Sequence, residues 1–141
     1  MASKVTVSEL NSFFSEAFPG EGTRPEIVDL EEGMARVRLG YSDRFLRPGG
    51  VISGPTQMSL ADTATYAAIF TLEGITPYAV TSNLNMNFLN ACKAGTVYAT
   101  AKILKAGKRL IVAEVDIREE SMTEPASHAI VTYALPSKPK T

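Results

Sequence analysis

Cysteine and histidine are almost absent from this chain: each occurs once, as Cys92 and His128. One of each excludes a disulfide framework, a zinc finger and a Cys/His metal cage, so no metal site is expected. Composition alone leaves a Cys–His nucleophilic pair open. Excess charge is missing as well. Fourteen Lys and Arg face 15 Asp and Glu, for a net charge of −1. That gives no general attraction to nucleic acid or to an anionic membrane, and neither is expected as a partner. An anionic ligand would have to be held by a local cluster. No apolar run reaches the ~18 residues that a membrane span needs. The opening residues MASKVTVSELNSFF are polar and carry an early acid, unlike a secretory signal. The expected compartment is the cytoplasm.

What remains is an ordinary globular composition of 141 residues, 45% hydrophobic and 21% charged. The length suits a single domain over residues 1–141, with a core from about 6 to 136. Thr6 or Ser8 caps a short helix to about Phe18, with Leu10, Phe13, Phe14 and Ala17 at helical spacing. Residues 25–31 and 34–39 read as two strands around a Glu32-Gly33 turn. Residues 40–54 read as a long loop. From Pro77 the period becomes two. Val80, Ser82, Leu84, Met86 and Phe88 alternate with Thr81, Asn83, Asn85 and Asn87, which sets Thr81 on the face of the asparagines. Three more strands follow, about 96–104, 110–118 and 128–135, and residues from Pro136 onward form a tail. Consecutive strands with short turns make an antiparallel sheet, and one long helix must lie across it, giving a two-layer α+β domain.

That helix begins at Ser53-Gly54-Pro55 and ends near Gly74. Ser53 or Gly54 is the cap, and Pro55 suits the first helical position. From Ser53 to Leu72 the single charged side chain is Asp62, on a helix apolar or small on nearly every side. A buried carboxylate costs several kcal/mol unless compensated. Asp62 is therefore either hydrogen-bonded structure or chemistry.

The segment Gly54-Pro55-Thr56-Gln57-Met58-Ser59-Leu60-Ala61-Asp62-Thr63-Ala64 resembles the active-site segment of phenylacetyl-CoA-type acyl-CoA thioesterases, whose usual motif is HGGxxxxLxDxA. The run from Val80 to Leu89, then Lys93-Ala94-Gly95, is similar to that family's next strand. Lys105-Ala106-Gly107-Lys108-Arg109-Leu110 with Ala113-Glu114-Val115 is similar to its following hairpin. The resemblance spans roughly residues 40–135. It implies a hotdog fold, an antiparallel sheet wrapped around one central helix, and hydrolysis of an acyl-CoA thioester. It also implies Asp62 as general base or nucleophile and the Gly54 amide as oxyanion donor, and it puts Thr81 near the acid. No separate cofactor is implied, because coenzyme A belongs to the substrate. A homodimer or a dimer-of-dimers homotetramer is expected, with Asp62 and Gly54 meeting across the subunit boundary.

The chain departs from that motif where the family has His-Gly-Gly. Here Ser53, Gly54 and Pro55 stand instead, and Arg47 falls where an upstream Asn or Gln is usual. Arg47 can pair with Asp62, bind a substrate carboxylate or meet phosphates. Ser53 and Thr56 at the helix start and Tyr66 within the helix are further candidates for substrate contact. Lys105, Lys108 and Arg109 form a basic hairpin suited to coenzyme A phosphates, or to keeping a sheet edge soluble. The missing histidine and amide leave a second reading: a non-catalytic acyl-CoA-binding hotdog protein. His128 reads as structural, and Cys92 has no evident activator.

Overall fold

The strands that alternate in sequence form one six-stranded antiparallel sheet around a 20-residue helix in the computed structural model, which describes residues 2–137. Residues 138–141 of the expected tail lie outside the described residues. The order along the chain is α1 (Val7–Ala17), β1 (Glu26–Glu31), β2 (Met34–Leu39), β3 (Leu46–Arg47), β4 (Val51–Ile52), α2 (Gly54–Glu73), β5 (Val80–Phe88), β6 (Val97–Ala106), β7 (Leu110–Glu119) and β8 (Ser127–Ala134). The sheet order is β1-β2-β6-β7-β8-β5. The loop expected over 40–54 holds a short 3₁₀ turn, Asp43–Phe45, and the two-residue hairpin of β3 and β4. Gly49 and Gly50 turn that hairpin with φ of 103° and 72°, values that favour glycine.

α2 lies close to the sheet because both surfaces are made of small residues. Ala61, Ala64, Ala67 and Ala68 are fully buried, as are Ala35, Ala99, Ala101, Ala113 and Ala129 on the strands. Enlarging one of these positions leaves no room to relax. Ala64→Leu is expected to cost about 1–3 kcal/mol of stability, read as a lowered midpoint in denaturant unfolding.

The helix is not buried all round. Residues 64–71 are, with α1 packed against Tyr66 and Phe70. There Phe13, Phe14, Tyr66 and Phe70 form an aromatic layer, with Tyr66 and Phe70 ring centroids 4.6 Å apart. In the first half Pro55, Met58 and Ser59 are exposed and Asp62 is half-buried. These positions recur at three- and four-residue steps, so they form one uncovered flank.

The two sheet edges are treated differently. β1 carries Glu26, Asp29 and Glu31 and has a bulge between Ile27 and Asp29. The Asn11 amide of α1 donates to the Ile27 carbonyl at 3.0 Å and accepts its N–H at 2.9 Å, standing in for a neighbouring strand. β5 has no charged residue and no such cover. Val80 is 59% exposed and Phe88 51%. An uncharged open edge of this length is a template for another strand.

Cys92 and His128 have different partners and make no hydrogen bond with each other among the described residues. His128 faces outward, with Nε2 3.4 Å from Glu114 Oε2. Cys92 is 1% exposed beneath β4, its carbonyl accepting the Ile52 N–H at 2.9 Å. Burial, then the charge of Glu119, pushes its thiol up from 9.0 to about 11. At pH 8 only about one thiol in a thousand is then ionised. Alkylation by iodoacetamide at pH 8 is expected to be at least about 100-fold slower in the native protein than after unfolding. The raised value stabilises the fold fully below pH 9, and that contribution is lost as pH rises through about 11.

Candidate active site

Ser53 opens α2. Its Oγ accepts the Thr56 N–H at 3.2 Å, and its carbonyl accepts the Gln57 N–H at 3.2 Å. Ser53 is therefore the cap, Gly54 the first helical residue and Pro55 the second, one place later than expected. Pro55 has no N–H. Among the described residues, Gly54 thus carries the one unengaged N–H at the start of a 20-residue helix, at the positive end of its dipole. A Cβ at Gly54 would come within 3.3 Å of the Phe88 ring, so a side chain there fits only if that ring shifts by a few tenths of an ångström.

Asp62 lies two turns further on. The Thr81 hydroxyl donates to Asp62 Oδ1 at 2.6 Å. The Tyr133 hydroxyl donates to the same oxygen at 2.9 Å and reaches the Asp62 main-chain carbonyl at 3.2 Å. Strict alternation put Thr81 with the asparagines. The strand instead shifts register between Thr81 and Asn83, and the extra residue turns Thr81 to the helix side, opposite Tyr133. Asn83, Asn85 and Asn87 stay on the outer face, opposite Thr132, Ile130 and His128.

Tyr133 was not among the expected site residues. It is 3% exposed, and its ring stacks on Tyr66 at 5.9 Å. Burial, reinforced by the Asp62 charge and opposed by a Thr81 hydrogen bond, holds its hydroxyl well above the usual phenol range, so it stays a proton donor. Tyr66 is tied by its own hydroxyl to the Pro77 carbonyl at 2.8 Å, and burial raises its pKa too. A signal for Tyr133 did exist. It is a phenol on the buried face of β8, with Ser127, Ala129 and Val131, and a buried phenol needs a partner.

Asp62 opens on a cleft of about 540 Å³ walled by Phe14, Phe18, Pro25, Tyr66, Val80 and Tyr133. Arg24, also unanticipated, is the one cationic side chain among the described residues on that wall, and it donates to the Gly20 carbonyl.

Gly54 opens on a different cleft of about 650 Å³, with Arg47, Phe88 and Asn90. Arg47 is exposed there and donates to the Pro48 carbonyl at 3.3 Å, so it does not pair with Asp62. Thr56 shares a 2.7 Å hydrogen bond with Ser53, within the cap. Gln57 is buried, spanning the Ile52 carbonyl at 3.2 Å and the Ser127 hydroxyl at 2.7 Å. Lys105, Lys108 and Arg109 are exposed at the β6–β7 turn. The Leu135 N–H bonds the Arg109 carbonyl at 2.7 Å, so this turn sits at the Thr81 end of the sheet.

Gly54 and Asp62 are eight helical residues apart, about 12 Å along the axis. A single carbonyl cannot use both within one chain, since each must approach to about 3 Å.

Comparison with known proteins agrees with this architecture. Residues 49–126 match the thioesterase superfamily. A 1,4-dihydroxy-2-naphthoyl-CoA hydrolase of Listeria monocytogenes is 35% identical over 98 residues, covering 68% of this chain and 78% of that one. The crystal structure of a candidate thioesterase from Silicibacter sp. TM1040 superposes with a TM-score of 0.86 at 32% identity, over 97% of this chain and 96% of the other. The PaaI protein of the E. coli phenylacetic acid degradation operon shares the fold, with a TM-score of 0.74 at 24% identity over 95% and 91%.

Proposed function

The chain belongs to the thioesterase superfamily and is a thioester hydrolase, and on that premise we propose that it hydrolyses an acyl-CoA to the free acid and coenzyme A, with Asp62 as the reacting acid and Gly54 as the oxyanion donor. The observation that carries this reading is the Asp62 carboxylate held by Thr81 and Tyr133 at the wall of an aromatic cleft. A relative named for hydrolysing a CoA thioester supports the substrate class.

As general base, Asp62 takes a proton from water while the water oxygen bonds to the thioester carbon. The carbon–sulfur bond then breaks, and the proton returns to the leaving thiolate. As nucleophile, Asp62 bonds to that carbon itself while the carbon–sulfur bond breaks and coenzyme A leaves as its thiolate; water then splits the acyl–Asp62 anhydride, which frees the acid, restores the Asp62 carboxylate and supplies the proton that the thiolate takes up. In either route the carbonyl oxygen becomes negative and needs a donor.

A second copy of the chain supplies that donor. Gly54 lies against Phe88 at one end of β5, and Asp62 bonds Thr81 at the other. An antiparallel copy added at the open β5 edge, centred near Leu84 and Asn85, sets the Phe88 end of one strand beside the Thr81 end of the other. The partner's helix start then faces Asp62. Arg47 travels with Gly54, and Lys105, Lys108 and Arg109 lie at the Thr81 end, so both offer cations to the coenzyme A phosphates. The acyl group occupies the cleft of Phe14, Phe18 and Tyr66. The minimal assembly is a dimer, and doubling to a tetramer leaves this site unchanged.

The test is direct: purified protein is offered a panel of aromatic and aliphatic acyl-CoAs while free thiol is followed. Turnover of at least one above the spontaneous rate is expected. Saturable binding with no thiol release would return the non-catalytic reading.

A further inference from the structure

Both hydroxyls at Asp62 use one oxygen. Thr81 and Tyr133 converge on Oδ1, and among the described residues no side chain or main-chain group bonds Oδ2. The Tyr133 hydroxyl also touches the main-chain carbonyl of the same residue. It therefore grips Asp62 at both ends of the side chain, which fixes how the carboxylate plane is turned. The grip is itself anchored. Tyr133 is buried, stacked on Tyr66, and lies in β8 opposite Thr81 of β5.

We propose that Tyr133 is a positioning residue which, with Thr81, locks Asp62 Oδ1 and leaves Oδ2 as the atom that meets the water or the thioester carbon. The inference rests on the reading of Asp62 as the reacting acid, and it adds a residue 71 positions away to that site. A free carboxylate turns between many orientations, and in most of them neither oxygen is aligned with an incoming carbonyl. Two donors on Oδ1 remove that freedom before substrate arrives. The raised pKa of Tyr133 keeps the clamp protonated.

The experiment compares Tyr133→Phe, Thr81→Val and the double variant with the wild type on whichever acyl-CoA turns over. Tyr133→Phe keeps the ring and its stack on Tyr66 and removes only the hydroxyl. A fall in kcat of about tenfold is expected for each single variant, with KM within about twofold, since Tyr133→Phe keeps the ring on the cleft wall and Thr81→Val keeps the side-chain shape. Two donors acting on one oxygen as a unit should be non-additive, so the double variant loses less than the product of the two single losses. Unchanged kcat in Tyr133→Phe overturns the proposal, as does a rise in KM at constant kcat. If Tyr133→Phe fails to fold, Thr81→Val carries the test, because Thr81 is exposed and its replacement keeps the β-branched shape. Asp62→Asn separates the two levels. Wild-type turnover in that variant removes Asp62 and this proposal together. An inactive Asp62→Asn beside a fully active Tyr133→Phe removes the proposal alone.

Discussion

Asp62→Asn is expected to lower kcat for thioester hydrolysis by about 10²–10⁴-fold while leaving the fold intact. The amide has the size and shape of the carboxylate. With its oxygen turned toward Thr81 and Tyr133 it still accepts both hydroxyls, at 2.6 and 2.9 Å in the native geometry. Structure therefore loses little, and thermal unfolding should shift by only a few degrees. Chemistry loses the group it needs, because a neutral amide neither takes a proton from water at useful pH nor attacks a thioester. The substitution thus separates the two meanings of a half-buried acid on a mostly apolar helix. If Asp62 only satisfied the two hydroxyls, the variant would turn over substrate like the wild type. Free-thiol release under single-turnover conditions, with acyl-CoA binding measured alongside, distinguishes a lost chemical step from lost binding.

The layout of the fold was legible because it is written in periods. The small-residue helix, the two-residue alternation of the later strands and the turn at Glu32-Gly33 each express a local rule. The site was legible only in part. Asp62 and Gly54 stood out, one as a charge without company and the other as a glycine at a helix start. Their surroundings depended on contacts that no local rule contains. The register shift between Thr81 and Asn83 carries no glycine or proline to announce it, yet it decides which face Thr81 joins. Tyr133 meets Asp62 across 71 residues through the pairing of β8 with β5. Arg47 falls where the resembling family has an upstream Asn or Gln, which makes pairing with Asp62 one of its possible roles. The hairpin of β3 and β4 instead leaves it at the other end of α2.

Lysine at both Asn83 and Asn85 is expected to dissociate the assembly and, through that, to lower activity by about 10²–10³-fold, the usual loss when an oxyanion donor is removed. The effect would come from two outer-face side chains on β5 that touch neither Asp62 nor its cleft. In one chain these positions face outward from an edge strand, where charge is tolerated and the β8 ladder is undisturbed. In the paired sheet they are not free. Same-face pairing about Leu84 sets position 83 opposite 85 of the partner, and pairing about Asn85 sets 85 opposite itself. Either register puts like charges across the join, where directly opposed like charges destabilise a sheet. The link to activity is the length of α2. About 12 Å separates Gly54 from Asp62 in one chain, so a monomer retains the acid and loses the partner's N–H. Sedimentation at micromolar concentration should show a monomer for the variant and a dimer or larger for the wild type, with hydrolysis following the assembled fraction. A monomeric variant at full activity would sink the shared site, and a wild-type monomer would sink the β5 interface itself. Far-ultraviolet circular dichroism matched to the wild type closes the remaining route, since unfolding would also remove both readouts.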